Sequence, residues 1–122
     1  MKYLFAFLSL FTVLAINQAR PLVDRKISFE KEVEPIFEKH CYFCHGPDRQ
    51  RGGLRLDDPE DALRGSENGK VIVPGKSARS RLLQLISGQD EELIMPPKGK
   101  RLSKNQIQII RAWIDQGAKF EP

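Results

Sequence analysis

The feature that most constrains the fold of this chain is the pentapeptide Cys41-Tyr42-Phe43-Cys44-His45. Two cysteines three positions apart, with a histidine directly after the second, form the C-x-x-C-H pattern of covalent c-type haem attachment. One turn of helix places Cys41 and Cys44 on the same side, where each thiol can add to one vinyl group of a haem edge. His45 then falls beneath the ring, where its imidazole can bind the iron. The motif therefore predicts a chain folded around a haem c.

Three other interpretations of the motif compete with this one. A structural zinc site would need a fourth ligand, and the motif supplies at most two thiolates and one imidazole, with no second C-x-x-C in the chain. A thioredoxin-like redox pair would need a flanking βαβ pattern, which is missing from the sequence. A disulfide between Cys41 and Cys44 would make the chain a small, colourless interaction module, although so short a loop adds little stability. The adjacent histidine favours the haem.

The N-terminus has the pattern of a signal peptide. A lysine precedes an apolar run of 14 residues over 3–16, which suits a signal-peptide core and is short for a membrane span. Cleavage after Ala15 or after Ala19 fits the small-residue rule, and we predict residues 1–19 as the signal peptide and 20–27 as a flexible lead-in. The mature protein is then periplasmic or otherwise exported. An uncleaved anchor is the alternative, and only that form would hold the protein at a membrane.

Residues 28–122 are long enough for one domain with a modest core. The net charge of +4 falls to +3 without the lysine of the signal peptide, and haem propionates would cancel most of the remainder. A nearly neutral protein gives no case for nucleic acid as a partner. We see no arrangement of a general base with a nucleophile, so the sequence predicts a protein that is not an enzyme.

Helix signals recur along this domain. Pro35 interrupts the first helical pattern and predicts a kink or a second start there. Trp113, in the last helix, is predicted to pack that helix against the first one. Four helices are expected, beginning after Ser28, after Asp58, after Ser77 or Ser80, and after Ser103, where Gln106 completes a capping box.

Met95 is the second residue that we single out for chemistry. It is the only methionine besides Met1 and lies 50 residues beyond His45, which is enough chain to cross a haem and approach its distal face. The two prolines after Met95 restrict the backbone that presents its thioether. Given a haem, we predict Met95 as the distal iron ligand, and the alternative is a core methionine before a proline-rich turn. His40 is tethered next to Cys41 on the proximal side, so we expect it to face solvent or a propionate instead.

Further motifs follow one another in a fixed order: Val33-x-Pro35-Ile36, Cys41-x-x-Cys44-His45-Gly46, Gly52-Gly53-Leu54-Arg55-Leu56-Asp57, Val73-Pro74-Gly75, Ser80-x-Leu82, Met95-Pro96-Pro97, Leu102-Ser103 and Trp113-Ile114-x-x-Gly117-Ala118. With these motifs, the chain from Phe29 to its C-terminus resembles the planctomycete-type cytochrome c domain, a branch of the class I cytochrome c superfamily. The resemblance implies an all-α fold of about four helices around one covalent haem c over residues 28–122. It also implies thioethers at Cys41 and Cys44, with His45 as the proximal and Met95 as the distal ligand of the iron. In that family the domain often precedes large additional domains.

The sequence thus predicts an exported electron carrier. A histidine and methionine ligand pair raises the reduction potential, and a filled sixth position discourages oxygen and peroxide chemistry. The partner would be an unidentified redox protein, which the basic loop of Lys98, Lys100 and Arg101 could steer if that protein is acidic; a solvated turn explains the loop equally well. The alternative function is a haem domain of a larger catabolic or peroxidase-like enzyme with an open or exchangeable sixth iron position.

Overall fold

The structure is a computed structural model that describes residues 24–122, so the predicted signal peptide and residues 20–23 lie outside the described part. This part is helical and contains no β-strand, which confirms the all-α prediction. It contains no helix long and apolar enough to cross a membrane. Five α-helices, α1 to α5, span Glu34–His40, Tyr42–His45, Pro59–Arg64, Arg81–Ile86 and Lys104–Asp115, with a π-helical turn at Phe29–Val33 and 3-10 turns at Arg51–Gly53 and Ser77–Arg79.

The first predicted helix is divided into three pieces. Its cap is confirmed, because the Ser28 hydroxyl accepts a hydrogen bond from the Lys31 N–H at 3.2 Å. Pro35 lies in the first turn of α1, so the proline marks the second start that the sequence predicts. A second break at Cys41 separates α1 from α2. The break at Cys41 accounts for the fifth α-helix among the described residues, where about four were expected.

Aromatic packing joins the two ends of the chain. The Trp113 ring is 1% exposed, and its centroid lies 5.5 Å from that of Phe29 and 5.9 Å from that of Phe37. The indole N–H donates to the Lys119 carbonyl at 2.8 Å, which satisfies its polar atom. The prediction that Trp113 packs α5 against the first helix is confirmed, and this contact forms the centre of the core.

Two further caps behave as predicted. The Asp58 carboxylate accepts the N–H of Asp61 at 3.1 Å at the start of α3. At α5 the Ser103 N–H donates to the Gln106 side chain at 2.8 Å, and the Gln106 N–H donates to the Ser103 hydroxyl at 3.2 Å. Both helices therefore begin where four-residue patterns in the sequence place them.

Helix α4 begins without a side-chain cap. Ser80 occupies the capping position, but its hydroxyl makes no capping bond to the helix. It is fully buried, accepts the Val73 N–H at 2.9 Å and donates to the Lys76 carbonyl at 3.0 Å. Ser80 therefore attaches the loop before α4 to the helix, in place of capping the helix.

The described part of the predicted lead-in, residues 24–27, packs against the rest of the domain. Ile27 is 4% exposed and belongs to the core. Its N–H donates to the Gln116 side-chain oxygen at 2.9 Å, and the Gln116 side-chain nitrogen donates to the Arg25 carbonyl at 2.8 Å. Arg25 also pairs with Glu32 at 2.7 Å. The glutamine lies 89 residues away from Ile27 in the chain, so no local pattern could reveal this clamp.

Candidate haem site

The C-x-x-C-H motif lies at the break between α1 and α2. Cys41 has φ −127° and ψ −42°, and its carbonyl accepts the N–H groups of Cys44 at 3.1 Å and of His45 at 2.8 Å. A single turn of helix thus connects the two cysteines, as their spacing predicts. Both are free thiols and both are half-buried.

Two observations argue against the redox and zinc interpretations of the motif: the raised pKa of the Cys41 thiol and the number of available metal ligands. Burial raises the pKa of Cys41 to about 12, and the neighbouring charge of Cys44 adds to the effect. Redox-active C-x-x-C pairs depend on a lowered pKa of a cysteine thiol, so the thioredoxin-like alternative is disfavoured. Across residues 24–122, no group of three or more His, Cys, Asp or Glu side chains is placed to hold a metal ion. A structural zinc site would therefore lack ligands in this region.

The His45 ring is held in one orientation by the backbone. Its Nδ1 lies 3.3 Å from the Leu54 carbonyl oxygen, and since a carbonyl only accepts, Nδ1 is the protonated nitrogen. Burial lowers the pKa of His45, which favours the neutral imidazole at pH 7. A neutral ring with a proton on Nδ1 presents the lone pair of Nε2, the form in which histidine binds a metal.

The loop that carries this carbonyl is itself fixed. Leu54 is 8% exposed and Leu56 is 1% exposed, and the Leu56 N–H donates back to the His45 carbonyl at 2.8 Å. Moving the loop would expose both leucines to water, so the core holds the ring of His45 in place. A metal-binding histidine usually donates its other ring N–H to such a group, and here the group is the Leu54 carbonyl.

Gly46 directly follows the motif, and the structure shows why a glycine is needed there. A Cβ atom there would collide with the carbonyl oxygen of Tyr42, and it would lie 3.0 Å from the Tyr42 carbonyl carbon. The backbone at Gly46 is extended, with φ −131°, so the glycine is required for space and not for conformation. The close approach lets the chain turn away directly after His45.

Two buried polar atoms beside Cys41 have no partner within the described residues. They are the His40 Nε2 and the Tyr42 hydroxyl, and such atoms in folded proteins nearly always have a hydrogen-bond partner. Burial, reinforced by nearby carboxylates, raises the pKa of Tyr42, so its hydroxyl keeps the proton that it can donate. Two thiols, an oriented neutral imidazole and polar atoms in need of a partner fit a haem, which offers vinyl groups, iron and carboxylates.

Met95 is anchored to a different element. Its N–H donates to the carbonyl of Leu85 in α4 at 3.0 Å, and its half-buried side chain packs against the same core as Cys41. Among the described residues no hydrogen bond joins Met95 to the motif. Its role as the distal ligand therefore stays a prediction.

An arrangement of two thiols on one helical turn, followed at once by an oriented imidazole, is typical of a c-type cytochrome. The segment over residues 41–99 matches the family model described as Planctomycete cytochrome C. The resemblance expected from the motifs is thereby confirmed, and all four predicted site residues lie inside the matched segment. A cytochrome c domain of this kind implies covalently bound haem with its iron.

The chain is also similar to a protein that is an enzyme subunit. Hydrazine synthase subunit alpha of Kuenenia stuttgartiensis is 25% identical over 128 residues, which cover 80% of this chain and 16% of that subunit. The chain therefore spans about one sixth of the length of this curated relative. No solved structure matches the chain.

Proposed function

We propose that this chain is an exported c-type cytochrome that carries single electrons through one covalently bound haem in a class I cytochrome c-like fold. In this proposal Cys41 and Cys44 would form the two thioethers, and His45 and Met95 would be the ligands of the iron. The observation that supports it best is the orientation of His45, whose Nδ1 is bonded to the Leu54 carbonyl at 3.3 Å, leaving Nε2 for the metal.

Each part of the site has a task in this function. The bound haem supplies a one-electron couple at its iron. The thioethers keep the cofactor attached, and the buried leucines, Leu54 and Leu56, exclude water and hold the imidazole. The sulfur of Met95, as the sixth ligand, raises the reduction potential and closes the position at which oxygen or peroxide would bind.

The first test is the spectrum and mass of the chain exported from a host with the c-type attachment machinery. An intact mass that includes haem, with a weak long-wavelength iron–sulfur band in the oxidised protein, would support attachment and methionine ligation together. Covalent haem without that band would favour an open or differently ligated iron. A colourless protein with an apo mass would overturn the cytochrome proposal and favour the disulfide-containing interaction module.

Substitution of Met95 separates a carrier from an open haem site. Both Met95→Ala and Met95→Leu should lose the iron–sulfur band, lower the reduction potential and bind carbon monoxide. The leucine variant keeps most of the side-chain volume, so agreement between the two assigns the effect to the sulfur. Leu93→Ala is the matched control, because Leu93 lies in the same loop and is 43% exposed. Wild-type protein that already binds carbon monoxide would contradict ligation by Met95.

The second candidate function is a haem domain of a larger enzyme with an exchangeable sixth position. It is favoured by the similarity to hydrazine synthase subunit alpha, of which the matched region covers only 16%. Peroxide turnover by the wild-type protein, together with carbon monoxide binding, would support this function. Neither reaction is expected of a carrier whose sixth position is filled.

The proposal also includes export of the protein and a redox partner. Cytochrome c domains are typically exported, and a signal peptide over residues 1–19 would deliver this one to the periplasm. N-terminal sequencing of the secreted protein would give the cleavage site, and an intact N-terminus in a membrane fraction would favour the uncleaved anchor. The partner is a redox protein that exchanges electrons with the haem.

A further inference from the structure

A cleft between the end of α1 and the start of α5 carries positive charge beside the haem motif. Its volume is about 200 Å³, well above the ~10–15 Å³ that a single water needs. The residues that line this basic cleft are Lys39, His40, Lys100, Arg101, Ser103 and Gln106. Three of them are permanent cations and none is acidic.

The cations of the basic cleft lack protein partners. Within residues 24–122, no ion pair includes Lys39, Lys100 or Arg101. Like charges that converge on one cavity repel each other, and a bound anion removes that repulsion. The positive potential of the cleft therefore favours the binding of an anion.

The charge comes from two separate elements. Lys39 and His40 lie in the last turn of α1, where positive charge complements the negative end of a helix dipole. That explanation does not extend to Lys100 and Arg101, which belong to the loop between Met95 and α5. Folding brings this loop against α1, so the cluster is a product of tertiary structure.

Hydrogen-bond donors accompany the charge. His40 also lines the cleft, with its Nε2 shielded from solvent and left to the haem site. The Ser103 hydroxyl accepts the Gln106 N–H at 3.2 Å, which leaves its own proton free to donate. The 12-residue helix α5 adds the positive end of its dipole at the same place.

We propose that the basic cleft binds a small tetrahedral oxyanion of the phosphate or sulfate class. Lys39, Lys100 and Arg101 supply the charge, and the Ser103 hydroxyl donates a hydrogen bond to an anion oxygen. The site is distinct from the iron ligands and does not depend on whether Met95 binds the iron.

The test is a titration of the purified, reduced mature protein with inorganic phosphate at constant ionic strength, followed by NMR. Saturable shifts are expected for the His40 ring and for the backbone amides of Lys100 and Arg101. Lys100→Gln and Arg101→Gln should each weaken the apparent Kd by about tenfold, as expected for loss of one charge-assisted contact. Lys70→Gln is the control, because Lys70 is exposed and does not line the cleft.

Three results would overturn the site. Linear shifts that do not saturate would mean general ionic screening. An equal response of the Lys70→Gln and Arg101→Gln variants would remove the role of the cleft. Saturable shifts confined to residues outside the cleft, with the amides of Lys100 and Arg101 unmoved, would place the anion elsewhere. Circular dichroism of each variant establishes that the fold is intact, and the spectrum of the haem reports on the proposed electron carrier independently.

Discussion

A methyl group added at Gly46 tests how tightly the chain is packed at the histidine of the motif. The Cβ of Gly46→Ala would lie 3.0 Å from the carbonyl carbon and 3.2 Å from the Cα of Tyr42, and closer still to its carbonyl oxygen, where ordinary contacts are 3.4–4 Å. The backbone of Gly46 has φ −131°, which alanine adopts freely. The whole cost of the substitution therefore comes from collision.

The size of this cost follows from what must move. Relief requires the Tyr42 backbone to shift by at least about 0.4 Å, and Tyr42 begins the short helix that ends at His45. Overpacking of this kind costs about 1–3 kcal/mol. We expect a loss of about 2 kcal/mol in the free energy of unfolding, with about 4–8 °C in Tm for each kcal/mol. The shift also disturbs the bond of His45 to the Leu54 carbonyl.

The assay is urea unfolding of the haem-loaded variant, with the haem spectrum recorded before unfolding. Gly69→Ala is the control. Gly69 has φ +108°, and a Cβ added there would have no atom within 4 Å. Alanine at this position therefore suffers backbone strain of about 1–2 kcal/mol without a collision. Both variants should lose stability, and only Gly46→Ala should alter the spectrum. A Gly46→Ala protein as stable as wild type, with an unchanged spectrum, would refute the steric argument.

Two further substitutions test the support of the core. Ser80→Ala removes a buried hydroxyl and strands the Val73 N–H, whereas the Lys76 carbonyl keeps the Arg79 N–H as a donor, so it should cost about 1–3 kcal/mol in urea unfolding. Ser77→Ala, also at a buried position but with no side-chain hydrogen bond among the described residues, should cost clearly less, and equal losses would contradict the assignment. The Arg25 guanidinium holds the pKa of Glu32 below its ordinary 4.5, so the stability from this pair is present above pH 4.5 and is lost as the pH falls through the lowered value. Wild type should therefore exceed Glu32→Gln in unfolding free energy at neutral pH, and a difference that persisted in acid would count against the ion pair.

Local patterns in the sequence were enough to predict most helix boundaries. The caps at Ser28, Asp58 and Ser103 depend on hydrogen bonds over three residues, and the break at Pro35 depends on a single ring. Such interactions are decided within one turn of helix, so the sequence determines them wherever the chain lies in the fold. The same holds for the turn that connects the cysteines of the motif.

Long-range contacts account for what the sequence did not predict. The clamp of Ile27 by Gln116 joins residues 89 positions apart. The choice of Leu54 as the partner of His45 depends on how its loop is buried. Ser80 has the sequence of a helix cap, yet burial gives its hydroxyl better partners in the preceding loop. In each case a tertiary contact decided between local alternatives that the sequence left open.

The same hydrophobic core supports both proposed iron ligands, and this is relevant to the proposed electron transfer. The imidazole of His45 is held through Leu54, which is 8% exposed, and the backbone of Met95 is held through Leu85 of α4, a helix that packs on α5. Trp113 of α5 packs in turn against the first helical segment. Ligands supported by packed elements keep their positions better than ligands on free loops. A carrier needs such a site, because an iron whose ligands stay in place gains and loses an electron with little rearrangement of the protein.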